Sequence, residues 1–302
     1  MSHVVTADQV QEWIKRFKQG DRRALARLMT VIESGDVPNE LKQVLVNGDR
    51  PSSTKVGITG AGGMGKSSLI GRLLNHLESE DKRVAVLACD PQSALTGGAL
   101  LGDRVRMNES KASFIRSLAT GDTGGGVPYV IDDAISLVEA FGFDVVITES
   151  IGVGQDQIGI APYVDVVVLV VAPDTGDDIQ WQKAGLMETA DLIVVNKGDL
   201  PNADATVASI RSLGDFIPTA IKVSAQDGTG IEAMWEAIDA LVGRSEHRLT
   251  GEHRYRMMLH RMLDHQWHQT QGTVDMDACV KAWQSGAEDD DQAFSRFVRL
   301  GH

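Results

Sequence analysis

The chain has 302 residues with 29 Lys and Arg against 42 Asp and Glu, a formal net charge of −13, and 42% hydrophobic residues. That length and apolar share suit one large α/β domain with appendages or two modest domains, and the acidic balance argues against nucleic acid or an anionic membrane as a partner. Cys89 and Cys279 lie far apart and fit no metal or disulfide pattern. Small buried thiols in a reducing compartment are expected, and with no signal-peptide layout and a longest apolar run of strand length (166–172) the chain is expected to be cytoplasmic.

Residues 1–50 read as an N-terminal helical extension. Thr6 or Asp8 can cap a helix whose apolar positions Val10, Trp13, Ile14 and Phe17 recur at three and four, with Gly20 ending it. A second helix from Asp21 to about Ser34 carries Leu25, Leu28, Met29 and Ile32 on one face, to pack on the main domain or on a partner. The turn-rich segment 47–53 marks the boundary of a main domain, 51–245.

From Lys55 onward, short β-branched runs alternate with helical stretches, the pattern of a doubly wound α/β domain with a mainly parallel sheet. Candidate strands are 56–59, 84–89, 113–117, 145–149, 164–171, 192–196 and 219–224. Ligands of such sheets bind beyond the carboxyl ends of the strands, so the residues just after each run take priority.

After the first run stand Gly60, Ala61, Gly62, Gly63, Met64, Gly65, Lys66, Ser67 and Ser68, which match G-x-x-x-x-G-K-[ST]. The glycines allow successive N–H groups to turn inward around a phosphate, and the following helix adds its positive dipole end. Lys66 would reach the β- and γ-phosphates, and the Ser67 hydroxyl would ligate Mg²⁺. After the second run comes Asp90, with Asp103 further on. Either carboxylate can hold Mg²⁺ directly or through water, although Asp90 before Pro91 also fits a simple turn opener.

Glu149 stands at the tip of the fourth run, followed by Gly152, whose N–H can approach a γ-phosphate, and by Gln155. Glu149 either ligates a Mg²⁺-bound water or orients the attacking water, and Gln155 either positions water or is a solvated loop residue. After the sixth run, Asn196, Lys197 and Asp199 form Asn-Lys-x-Asp, and Ser224-Ala225 follows the seventh. A carboxylate such as Asp199 can accept both the ring N–H and the exocyclic amine of guanine, a donor pair that adenine lacks. Lys197 would lie across the ring and Ser224-Ala225 would face the base oxygen. The expected nucleotide is GTP, with GDP as product.

Residues 246–302 change to a helical arm. Tyr255, Met258, Leu259, Met262, Leu263 and Trp267 form a stripe suited to core or to a subunit interface, and His260, His265 and His268 read as solvated helix histidines rather than a metal site.

These motifs together resemble the MeaB/ArgK/methylmalonic-aciduria-A group of P-loop GTPases, in the metallochaperone (SIMIBI) branch. The marks are Asp90-Pro91, Thr96-Gly97-Gly98 with Leu101-Gly102-Asp103, the stretch from Glu149 to Gln155, and Gly176-Asp177-Asp178-Ile179-Gln180-Trp181-Gln182-Lys183. The resemblance implies Mg²⁺ and hydrolysis roles for Asp90, Asp103 and Glu149, and a mobile switch that includes Asp177, Asp178, Gln180 and Lys183. It also implies a homodimer, with the C-terminal arm as candidate interface, that gates adenosylcobalamin loading of an acyl-CoA mutase. Gly62-Gly63 and Ser68 are closer to the G domain fused in isobutyryl-CoA mutase, so isobutyryl-, 2-hydroxyisobutyryl- and methylmalonyl-CoA mutases all stand as clients. The corrinoid is expected on the mutase, because this chain lacks D-x-H-x-x-G. The rival activity is a kinase that passes the γ-phosphate to an acceptor. A nickel-inserting GTPase would call for a His-rich tract or a Cys-His pair near the switches, which the sequence lacks.

Overall fold

Runs rich in Val, Ile and Leu form strands here because their side chains can pack on both faces of a pleat. The computed structural model describes residues 5–35, 37–47, 53–90, 112–120, 127–150, 159–173, 190–213 and 218–242. It contains β1 (Thr54–Thr59), β2 (Val84–Asp90), β3 (Ser113–Ala119), β4 (Val145–Glu149), β5 (Val166–Val171), β6 (Leu192–Val195) and β7 (Thr219–Lys222). All are parallel, in the order β3-β2-β4-β1-β5-β6-β7. Each expected strand is present, its ends shifted by two residues at most. Asn196 and Ser224, expected at strand ends, instead lie just past β6 and β7 in the loops.

Among the described residues the α-helices are α1 (Ala7–Phe17), α2 (Arg22–Glu33), α3 (Asn39–Asn47), α4 (Lys66–Ser79), α5 (Ile131–Phe141), α6 (Ala203–Arg211) and α7 (Ile231–Val242). Thr6, not Asp8, caps α1: its Oγ1 accepts the Gln9 N–H at 3.4 Å, while Gln9 Oε1 accepts the Thr6 N–H at 3.0 Å. Asp21 caps α2 by accepting the Arg23 N–H at 2.8 Å, and the Arg16 side chain beside it holds its carboxyl below the usual range.

One face of the sheet is covered by α1, α2, α3 and α5. Phe17, Leu25, Leu28 and Ile32 share a cluster with Ile131, Leu137 and Phe141 of α5 and with Leu87, Phe114 and Val146 of the sheet. Each fully buried side chain of this kind contributes about 1.5–3 kcal/mol. The N-terminal helices thus belong to the same core as the sheet, and α3, which the sequence did not distinguish as a separate element, adds Leu41 and Leu45. Edge strand β3 is tied to α2 by Arg22, which donates to the Ser113 carbonyl, and by the Arg116–Glu33 ion pair. On the opposite face, Leu69, Ile70, Leu73 and Leu77 of α4 and Met234 and Ile238 of α7 pack on Val56, Ile58, Val168 and Val194. Helix α6 packs Val207 and Ile210 against Ile193, Val195 and Ala220.

A repeated device closes the amino ends of the strands. Asp144, Asp165 and Asp191 immediately precede β4, β5 and β6. Each accepts a backbone N–H from the neighbouring strand or its lead-in: Arg83 at 2.7 Å, Lys55 at 2.8 Å and Val167 at 2.7 Å. Each also donates its own N–H to that same residue's carbonyl, at 2.8, 2.7 and 2.8 Å. The carboxylate thereby supplies an acceptor where the ladder begins. The chain runs from β1 outward to β2 and β3, returns to insert β4, then crosses to β5 on the other side, so the switch point lies at β1.

The chain divides into two compact units, Met1–Leu249 and Thr250–His302. The second, with the expected stripe from Tyr255 to Trp267 and the three histidines, lies outside the described residues. Among the described residues no helix is long and apolar enough to cross a membrane.

Asp165 offers a direct test of the strand-start device. Asp165→Ala is expected to lower the unfolding free energy by about 1–3 kcal/mol in urea titrations, and Asp165→Asn, which retains an acceptor oxygen, by less.

Candidate functional site

The site grows from the carboxyl end of β1. Gly60 has φ +143° and passes so close to β5 that a Cβ would lie 2.3 Å from the Val170 carbonyl oxygen, so no other residue fits. Gly65 has φ +86° and is the N-cap of α4, which turns the chain so that the N–H groups opening that helix face the loop. Met64 is buried among the α4 and α7 side chains and anchors the loop to the core. Lys66 Nζ donates to Gly60 O at 2.7 Å and to Ala61 O at 3.1 Å, placing the ammonium across the loop mouth.

Ser67 Oγ lies 3.1 Å from Glu149 Oε1 and 3.4 Å from Oε2. Strand β4 is fixed there by its neighbour Ser150, whose hydroxyl donates to Thr59 Oγ1 at 2.9 Å. The Ser67–Glu149 pair places two hard oxygen donors side by side beside the phosphate loop, which fits Mg²⁺, an ion that takes few protein ligands and keeps several waters. Asp90 closes β2, its backbone paired with Ala119. Its side chain lies outside the described residues, as do Asp103, Gly152, Gln155, Asp177, Asp178, Gln180 and Lys183.

The second half of the site follows β6 and β7. Asn196 is 1% exposed. Its Nδ2 donates to Met64 O at 2.8 Å, and its Oδ1 accepts the Ala225 N–H at 3.1 Å. A base oxygen approaching Ala225 would therefore share that donor with Asn196. A Cβ on Gly65 would come within 2.5 Å of Asn196 Nδ2, so this close approach also depends on glycine. Asp199 is exposed and is oriented by the Ser224 hydroxyl, which donates to its Oδ1 at 2.9 Å. Within the turn after Ser224, Asp227 accepts the Thr229 N–H at 2.9 Å, and this bond holds its carboxyl below the usual range.

The two halves enclose a cavity of about 320 Å³, lined by Gly65 and Ser68 on one side and by Asn196, Lys197, Asp199 and Ala225 on the other. Residues that the motifs single out in separate parts of the chain thus line one cavity. A larger cavity of about 740 Å³, beside Ile14, Phe17, Val44, Arg83 and Phe141, contains none of them. Sequence reasoning missed Arg72, whose Nε donates to the Ala225 carbonyl at 2.8 Å. No local pattern marks that arginine.

A glycine-bounded phosphate loop that shares a cavity with Asn-Lys-x-Asp is the chemistry of a guanine-nucleotide site. The family model for the methylmalonyl-CoA mutase-associated GTPase MeaB matches residues 25–282. The chain belongs to the MeaB family. A protein of Pyrococcus abyssi whose name calls it a GTPase is 41% identical over 246 residues, covering 76% of this chain and 75% of that one. The mouse mitochondrial methylmalonic aciduria type A homolog is 34% identical over 267 residues, covering 77% of this chain and 64% of the homolog. Among solved structures, a LAO/AO transport system kinase is 25% identical with a TM-score of 0.61, covering 98% of this chain and 99% of that one. Like its MeaB relatives, this protein is a P-loop GTPase with the α/β fold read from the sequence.

Asn196→Ala removes the amide that bonds both halves of the site. Guanine-nucleotide affinity is expected to fall by about tenfold or more, and unfolding free energy by about 1–3 kcal/mol, measured by calorimetric titration and urea unfolding.

Proposed function

We propose that this chain is a GTP-driven switch that gates the loading of adenosylcobalamin onto a cobalamin-dependent acyl-CoA mutase and expels inactive cofactor from it. The client would be an isobutyryl-, 2-hydroxyisobutyryl- or methylmalonyl-CoA mutase. The observation that carries this reading is the phosphate loop and the guanine motif sharing one cavity, joined by Asn196, in a chain of the MeaB family.

In this reading the N–H groups of residues 60–68 cradle the phosphates, and the Lys66 ammonium moves from its own loop carbonyls to the β- and γ-phosphate oxygens. Ser67 and Glu149 would hold Mg²⁺, with Asp90 and Asp103 contributing directly or through water, and the ion would supply neutralisation of phosphate charge. Asp199 reads the ring N–H and amine of guanine, Lys197 covers its face, and Gly152 senses the γ-phosphate through its N–H. Glu149 or Gln155 orients the attacking water.

Loss of the γ-phosphate would rearrange the stretches 90–103, 149–157 and 176–183, and the mutase would sense that change. Turnover is slow alone and is stimulated by the mutase, because the sequence by itself places no arginine as a finger. Residues 246–302 form the dimer arm, and the corrinoid stays on the mutase.

Two measurements test this. With γ-labelled GTP the label should leave as free phosphate, and Lys66→Ala should cut the rate by about 100-fold or more; a labelled acceptor would instead favour the kinase. Candidate mutases should be retained by the immobilised protein to different extents with GDP and with a non-hydrolysable GTP analogue. Equal retention, or none for any candidate, contradicts the gating reading.

A further inference from the structure

Arg72 stands on α4, less than two turns beyond Lys66, and is exposed. Its Nε donates to Ala225 O at 2.8 Å, and its Nη2 donates to the next carbonyl, Gln226 O. The Ala225 N–H is taken by Asn196 Oδ1. Both backbone polar groups of Ala225 are therefore held, one from the loop after β6 and the other from the helix that begins at the phosphate loop. Two successive carbonyls suit a planar guanidinium fork, whereas a lysine ammonium can satisfy such a pair only loosely.

Resting on the reading that residues 196–199 and 224–225 recognise guanine, we infer that Arg72 is a positioning residue that clamps the turn at 224–227 onto α4 and thereby sets the selectivity of the base pocket. Two further ties of this turn, Ala225 to Asn196 and Ser224 to Asp199, run to the loop after β6. Arg72 links it to the phosphate-binding helix. A turn already held in its reading conformation takes up the base without paying again to be ordered. Because Arg72 and its acceptors lie near the surface, the clamp adds little to fold stability, and its effect falls on binding.

The test is titration calorimetry of Arg72→Ala and Arg72→Lys with GDP, IDP, ADP and inorganic tripolyphosphate, alongside thermal unfolding. Arg72→Ala should weaken GDP and IDP alike by about tenfold, because the turn faces the oxygen that both bases carry, and should leave ADP and tripolyphosphate within about twofold. Asp199→Ala should instead weaken GDP more than IDP, since inosine lacks the amine. Arg72→Lys should recover only part of the lost affinity, and the unfolding midpoint should stay within about 2 °C of the parent. Unchanged GDP affinity in Arg72→Ala, or equal loss of all four ligands, would overturn the inference. A parent protein that binds ADP as well as GDP would overturn the base-site reading, and the inference with it.

Discussion

The buried carboxamide of Asn196 is the contact through which the two halves of the site depend on each other. Its donor end is bonded to the Met64 carbonyl in the phosphate loop and its acceptor end to the Ala225 N–H in the turn after β7. At 1% exposure the amide has little water to fall back on, so a loop or turn that moved alone would leave a buried polar group unpaired. Gly65 makes the arrangement possible, because any side chain there would occupy the space of the amide. The phosphate loop and the turn after β7 are therefore constrained to one geometry.

The sheet gives its two ends different work. At the amino ends, Asp144, Asp165 and Asp191 close the ladders, and Lys55 pairs with Glu139 at 3.1 Å to fasten β1 to α5. At the carboxyl ends Gly60, Asn196 and Ser224 lie in loops, and they gather with Glu149 at the tip of β4 and with Lys66 and Ser67 at the start of α4. A parallel sheet covered on both faces has no other edge at which so many chain segments can meet a ligand. The N-terminal helices complete that covering: α1, α2 and α3 share the core of α5 and protect the β3 edge through Arg22 and Arg116.

Much of this was legible because it is local. The seven strands follow from β-branched runs, the phosphate loop from glycine spacing, and the Asn-Lys-x-Asp stretch after β6 from four consecutive residues. The sequence left Thr6 and Asp8 as equal candidates for the first cap; the reciprocal bonds with Gln9 decided it. It passed over α3, whose nine residues carry only a short apolar pattern, and it passed over the strand-start aspartates, whose partners lie in other strands or just before them.

Sequence alone determined which residue types could do the chemistry, because a glycine, a lysine and a carboxylate at fixed spacing restrict the backbone and charge within a few residues. Tertiary structure decided which of them meet: that Ser67 faces Glu149, that Asn196 spans loop and turn, and that Arg72 reaches Ala225. Those pairings connect segments far apart in the chain. They arise from strand order, side-chain packing on both faces, and the pairing of buried polar groups, none of which is written in any single stretch of sequence.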